Sequence, residues 1–181
     1  MRVFILAAIL LALCTPLTGC KRSLDTRDVQ EFIDHADDVA RKRFAPDICG
    51  LRGKDFTLHL EFQGHSHHVG PTEVDMDRKL FCSQAAKFSR LRQYRLERKS
   101  VDIRLANDRK TAVVSAEYVE TAPYYEDSMP ATLDSFHRWQ IVETLDESVV
   151  GIEGGDLKFL STRSSSNETL VPKSQISIPW D

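Results

Sequence analysis

The sequence predicts an α+β domain in which two helices from the N-terminal half pack on one face of a curved antiparallel sheet. Apolar residues recur at steps of three and four early in the chain and alternate with polar residues in several later stretches. Short turn signals separate those later stretches, so helices come first and hairpins follow, the order of an α+β fold.

The helical steps run through Val29, Phe32, Ile33, Ala36, Val39, Ala40 and Phe44, one face of a helix that Asp25 or Thr26 can cap; Pro46 and Gly50 are expected to end it. Phe56, Leu58, Leu60 and Phe62 then alternate with Thr57, His59, Glu61 and Gln63, the period of a half-buried strand, and Gly64 to Pro71 reads as a loop. Thr72-Glu73-Val74-Asp75 has the pattern of a capping box. Leu80, Phe81, Ala85, Phe88 and Leu91 behind it predict a second amphipathic helix as far as about Arg98. Everything afterwards reads as antiparallel sheet. Val101, Ile103 and Leu105 alternate, Asn107-Asp108 turns, and Thr111 to Glu120 is rich in β-branched and aromatic residues. Pro123 to Pro130 is a loop, Phe136 to Ile152 one long strand or two, Gly154-Gly155 a turn, and Leu157 to Thr162 a returning strand. From Ser164 onward Ser, Asn and Pro dominate, so the domain is expected over residues 25–164 and a polar tail of little order over 165–181.

Arg2 followed by the apolar run Val3 to Leu13 and small residues up to Cys20 has the charge, length and cleavage pattern of an export signal, too short to span a membrane as a helix. Leu17-Thr18-Gly19-Cys20 resembles the lipobox of bacterial lipoproteins, in which the peptidase cuts before a cysteine that carries the acyl chains. The resemblance implies a signal peptide over residues 1–19, a lipidated Cys20, and a lipidated tether over 20–24. Several acyl chains on one residue would anchor the protein durably. Lys21, where Asp often marks retention at the inner membrane, leans toward the outer membrane facing the periplasm. An ordinary secretory signal cut nearby is the competing reading.

With 24 basic and 27 acidic residues the chain is nearly neutral, which argues against nucleic acid and against a polybasic membrane patch. Cys14 falls in the signal and Cys20 at the anchor, leaving Cys49 and Cys82. In an oxidising compartment an even remainder points to a disulfide; two buried free thiols are the alternative.

The element order over about residues 25–164, with its closing strand pair, resembles the NTF2-like superfamily, a cone-shaped fold with a cavity between sheet and helices. That family usually has a further short helix after the first, for which Pro46 to Lys54 leaves little room. The resemblance implies a cavity that can hold an acid or base. By residue type the candidates are His35, Asp38, His59, Glu117, Tyr118 and His137, but none has a distinguishing motif and no catalytic residue is assigned. His59 and Glu61 fall on the polar phase of their strand, away from a pocket. The cluster His65, His67 and His68 could contribute to a metal site only with a carboxylate such as Glu73 or Asp75, so a solvated loop is the expectation; no metal or other cofactor is assigned.

Lys87, Arg90, Arg92, Arg95, Arg98 and Lys99 would make the second helix a basic stripe, either a solvated face or a contact surface led by Arg92 and Arg95. Tyr124 and Tyr125, between Pro123 and Pro130, are candidate contact aromatics, unless the loop packs on its own domain. These readings lead to an expectation of a non-catalytic binding module, anchored in the envelope, for a protein partner. An inhibitor or immunity protein against an envelope-targeting toxin, or an accessory component of an envelope machine, would be specific forms of it. The alternative is an isomerase- or cyclase-like enzyme acting on a small apolar ligand, which requires a deep cavity with a buried Asp or His.

Overall fold

The computed structural model describes residues 23–64, 72–88, 93–124 and 138–176. The lipobox with Cys20, the histidines His65, His67 and His68, and Arg92, Tyr125 and His137 lie outside them. Helix α1 spans Thr26–Lys42, and Asp25 is its cap, accepting from the Asp28 N–H at 2.7 Å. The expected apolar stripe packs inward through Val29, Phe32, Ile33 and Val39. Fully burying a side chain such as Ile33 contributes about 1.5–3 kcal/mol relative to leaving it exposed. Arg43 ends the helix in the left-handed conformation, and its N–H reaches the carbonyls of Val39 and Ala40.

Two expectations about this end of the chain are corrected. Pro46 does not simply terminate a helix: it occupies the first turn of a second one, α2 (Ala45–Gly50), where a missing N–H costs nothing. The short extra helix is therefore present, and Phe44, placed in the apolar stripe by its spacing, is an exposed residue at the start of α2. Leu24, assigned to the polar tether, is fully buried in the core and donates its N–H to the Arg109 carbonyl at 2.8 Å.

Strand β1 (Arg52–Gln63) and strand β2 (Thr72–Asp77) form an antiparallel pair, with Leu58 opposite Met76 and Leu60 opposite Val74. Thr72 to Asp75 is thus strand and not a capping box. The cap of the following helix α3 (Arg78–Phe88) is Asp77, which accepts from the Leu80 N–H at 2.7 Å. That helix does not continue to Arg98, because strand β3 occupies Arg95–Leu105. A meander follows through β4 (Thr111–Pro123), β5 (Arg138–Glu153) and β6 (Asp156–Pro172), closed by a 3₁₀ turn at Lys173–Gln175. Gly154 and Gly155 both take positive φ in the two-residue turn between Glu153 and Asp156, a conformation that glycine adopts without strain. Strand β6 carries ordered chain to Pro172, well past the residue 164 at which the sequence placed the end of the domain.

The six strands form one curved, unclosed sheet in the order β2-β1-β6-β5-β4-β3. The expected antiparallel arrangement holds for four of the five pairings; β1 and β6 run parallel, so the sheet is mixed. Register shifts interrupt β1 between Arg52 and Thr57, β3 between Arg98 and Ser100, and β5 between Val149 and Val150, local bulges of the kind that bend a sheet. The helices lie on the concave face. Phe32, Ile33, Phe56, Val114, Val150 and Phe159 form the centre of the core there, with Phe32 and Phe159 ring centroids 4.9 Å apart. Cys49 of α2 and Cys82 of α3 form a disulfide with Cα atoms 5.6 Å apart. Arg78 reinforces the same corner, donating from Nη2 to the Cys49 carbonyl at 3.2 Å and from Nε to the Arg52 carbonyl at 3.3 Å. Among the described residues no helix is long and apolar enough to cross a membrane.

Candidate functional site

Between the helices and the concave face lies a cavity of about 540 Å³. Its two sides differ in chemistry because of strand phase. On β1 the inward residues are Phe56, Leu58, Leu60 and Phe62, and α1, α2 and α3 add Ile33, Val39, Ile48, Phe81 and Ala85 to form an apolar wall. On β5 and β6 the inward phase is polar: Thr144, Asp146 and Ser148 face Ser166, Ser164 and Thr162 in register. Thr144 and Ser166 share a hydrogen bond of 2.9 Å, Ser148 and Thr162 another of 2.9 Å, and Ser164 bonds the Asp146 carboxylate. Hydroxyls that satisfy one another in this way make a stable polar wall at modest desolvation cost.

Titratable groups are concentrated inside. Asp37, on the buried face of α1, lies 3.0 Å from the Arg98 guanidinium and accepts from the Tyr118 hydroxyl. Burial nevertheless pushes its carboxyl above the usual carboxylate range, with Arg98 opposing. Burial also raises the Tyr118 phenol, and the nearby Asp37 charge adds to that. Glu120 is raised by burial although Tyr94 donates to it, and the Arg43 guanidinium stacks 3.9 Å over the Tyr94 ring. Asp146 is raised by burial as well, with Oδ1 bonded to no described residue. Arg52, at the start of β1, is lowered to about 10 by burial, its guanidinium enclosed by the rings of Phe159, Phe81 and Phe56 at 4.3, 4.9 and 5.1 Å.

Of the residues singled out by type, Tyr118 alone among the described ones lies in the cavity. His35 and Glu117 are exposed, and Asp38 is an exposed partner of Arg41 at 2.8 Å. His59 sits away from the cavity as expected, between Asp75 at 2.8 Å and Glu61 at 3.3 Å, and its bond to Asp75 raises its pKa. Arg95 is exposed near Glu97 on β3, and Arg98 turns in to Asp34 and Asp37, so the basic helix stripe does not exist as read. Tyr124 is half-buried at the end of β4, donating its N–H to the Arg138 carbonyl at 3.1 Å. Sequence reasoning missed Asp37, Arg52, Glu120 and Asp146. The available signal was a charge on the apolar phase: Asp37 follows Ile33 by four residues on α1, and Glu120 shares the even phase of β4 with Val114, Ala116 and Ala122. Among the described residues no three His, Cys, Asp or Glu side chains come close enough to hold a metal ion.

No family model and no curated relative matches the sequence. Solved structures do. A scytalone dehydratase-like protein from Novosphingobium aromaticivorans superposes with a TM-score of 0.59 at 11% identity, over 79% of this chain and 85% of that one. The hexachlorocyclohexane dehydrochlorinase LinA-type3 from Novosphingobium barchaimii gives 0.55 at 9% identity, over 86% and 94%. An NTF2-like protein of unknown function from Pseudomonas putida gives 0.53 at 10% identity, over 80% and 89%. At these identities the likeness is one of architecture alone, and the fold of this chain is NTF2-like.

Proposed function

We propose that this chain is a binding module whose site is the internal cavity, and that its ligand is a small molecule with an apolar body and a polar end. The observation that carries this reading is the cavity itself: about 540 Å³, within the size range of small-molecule sites, with an apolar wall facing a hydrogen-bonded polar one. A structural spacer would have filled that volume with side chains. Cys20 holds the module in the envelope through its acyl chains in this proposal, on the strength of the lipobox. A protein partner at the cavity mouth has less support, since Tyr124 is half-buried and Arg95 stands on β3 rather than on a helix face.

The test is titration with Nile red, a neutral dye that brightens in apolar sites. Saturable brightening is expected, together with its loss in Ala116→Phe and Ala85→Phe, which project a ring into the cavity from opposite walls. No brightening, or brightening that both variants retain, overturns the proposal.

A second reading, acid–base catalysis on the bound molecule, is favoured by one observation. Asp37 is a buried carboxyl with a raised pKa, oriented by Tyr118 and Arg98 beside the cavity, a suitable arrangement for a general base. Two of the similar structures carry the names of enzymes, a scytalone dehydratase-like protein and a dehydrochlorinase. Solvent deuterium entering a carbon position of a bound ligand, and its loss in Asp37→Asn, would select this reading; no exchange would leave binding alone.

A further inference from the structure

Resting on the cavity as a binding site, we infer that the ligand is a small organic anion, a carboxylate with an apolar body, and that Arg52 receives the carboxylate. Among the described residues, six charged side chains line the cavity. Asp37 is paired with Arg98 and Tyr118, Glu120 is bonded by Tyr94, Asp146 is bonded by Ser164, and Glu168 and Arg43 have contacts of their own. The Arg52 guanidinium makes no hydrogen bond or ion pair with any described residue, and its Nε and Nη1 are buried without a partner. It lies against the faces of Phe56, Phe81 and Phe159, which offset some of the lost hydration but do not replace the oxygen acceptors of water.

An enclosed guanidinium in that state is costly unless something supplies acceptors. Asp146 is the carboxylate that acts on it, and only through space, because the Asp146 side chain is turned to Ser164. A ligand carboxylate supplies both the opposite charge and the acceptor oxygens that this guanidinium lacks. Its apolar body would then lie along Leu58, Leu60 and Phe62 of β1, the strand that Arg52 itself begins. A cationic ligand would have to approach this guanidinium, even though Asp146 Oδ1 is open to a donor, and a neutral alcohol would bring an acceptor without the opposing charge.

The experiment compares three probes of one chain length, octanoate, 1-octanol and octylamine, by calorimetric titration of the whole protein at pH 7. Octanoate is expected to bind at least tenfold tighter than either of the others. Arg52→Met, whose side chain can occupy the space between the rings, is expected to lose at least tenfold in octanoate affinity while octanol stays within twofold and Nile red still binds. Octanol or octylamine binding as tightly as octanoate, or octanoate binding Arg52→Met unchanged, overturns the inference. The head-group comparison on the unmodified protein decides the matter even if the variant does not fold. Failure of Nile red to bind would strike the cavity reading itself, whereas Nile red binding without a preference for octanoate strikes only the assignment of the anion.

Discussion

Replacing Cys49 and Cys82 together by Ser opens the covalent loop between α2 and α3, whose ends are 33 residues apart in sequence. In the chain-entropy treatment, closing a loop of about 34 residues removes about 12.6 cal/mol/K from the unfolded chain, or about 3.8 kcal/mol at 25 °C. Native contacts at this corner change little, because Arg78 still bonds the Cys49 and Arg52 carbonyls and the two serines occupy nearly the same space. The expected loss is therefore about 2–4 kcal/mol, arising mainly in the unfolded state. Urea unfolding at 25 °C measures it: for a slope near 2 kcal/mol/M the midpoint should fall by about 1–2 M. Reductant should bring the unmodified protein to the same place. Far below the transition the serine variant should bind Nile red as the parent does, since the cavity wall formed by Ile48, Phe81 and Ala85 is held by packing. A midpoint that moves by less than about 0.25 M, or about 0.5 kcal/mol at that slope, in the variant and under reductant alike, would refute the reasoning.

Arg98→Met strands the buried Asp37 carboxylate and should cost about 2–3 kcal/mol, with Asp37→Asn in the same background restoring most of it; if the two losses simply add, the pair is not coupled. The carboxyls of Asp37, Glu120 and Asp146 are raised in the fold, so the native state holds protons that the unfolded chain has released. Stability from these groups is therefore highest at and below the unfolded carboxylate range near pH 4 and declines as pH rises through the folded values. Exposed Asp34, Glu61 and Glu97 are shifted the opposite way, but they cancel in a comparison of Asp146→Asn with its parent. The variant should lose less stability between pH 5 and pH 8, and equal losses would contradict the assignment. Phe159→Ala removes a ring that touches Phe32 and Arg52 and should cost about 3–5 kcal/mol by thermal or urea unfolding; a loss under 1 kcal/mol would mean the site collapses around it. Cys20→Ser should abolish acylation and leave unprocessed precursor, read by mass spectrometry of membrane fractions, and normal maturation of the variant would end the lipobox reading.

Elements built on one apolar face were legible in the sequence, whereas the second half of β6, whose inward face is polar, was not. Helix α1 and strand β1 declared themselves because Phe32, Ile33, Phe56 and Leu58 all meet the same core. Strand β2 was hidden behind Thr72-Glu73-Val74-Asp75, a pattern shared by a capping box and by an edge strand that turns acids to solvent and puts Val74 and Met76 on the sheet face of Leu60 and Leu58. Ser164, Ser166 and Glu168 alternate with Arg163, Ser165 and Asn167 as regularly as any strand, but buried serine looks like a tail until a cavity is there to receive it. The cationic run through Arg95 and Arg98 read as one helix face because nothing local reveals that Arg98 finds Asp34 and Asp37 on α1, some sixty residues earlier. The site failed to show for the same reason. Its acids, Asp37 on α1, Glu120 on β4 and Asp146 on β5, lie far apart in sequence, and only the packing of helix on sheet gathers them.

The parallel pairing of β1 with β6 bears on how the protein comes into being. Strand β6 is the last described strand to leave the ribosome, yet it is flanked on both sides, by β5 and by β1. Until residues 156–172 exist, the hairpin of β1 and β2 has no sheet to join, and half of the cavity's hydroxyl wall is missing. Such an arrangement makes the nascent chain wait: long loops must close before their contacts reward them, which slows folding and leaves the incomplete chain open for longer. That delay is a kinetic consequence written into strand order.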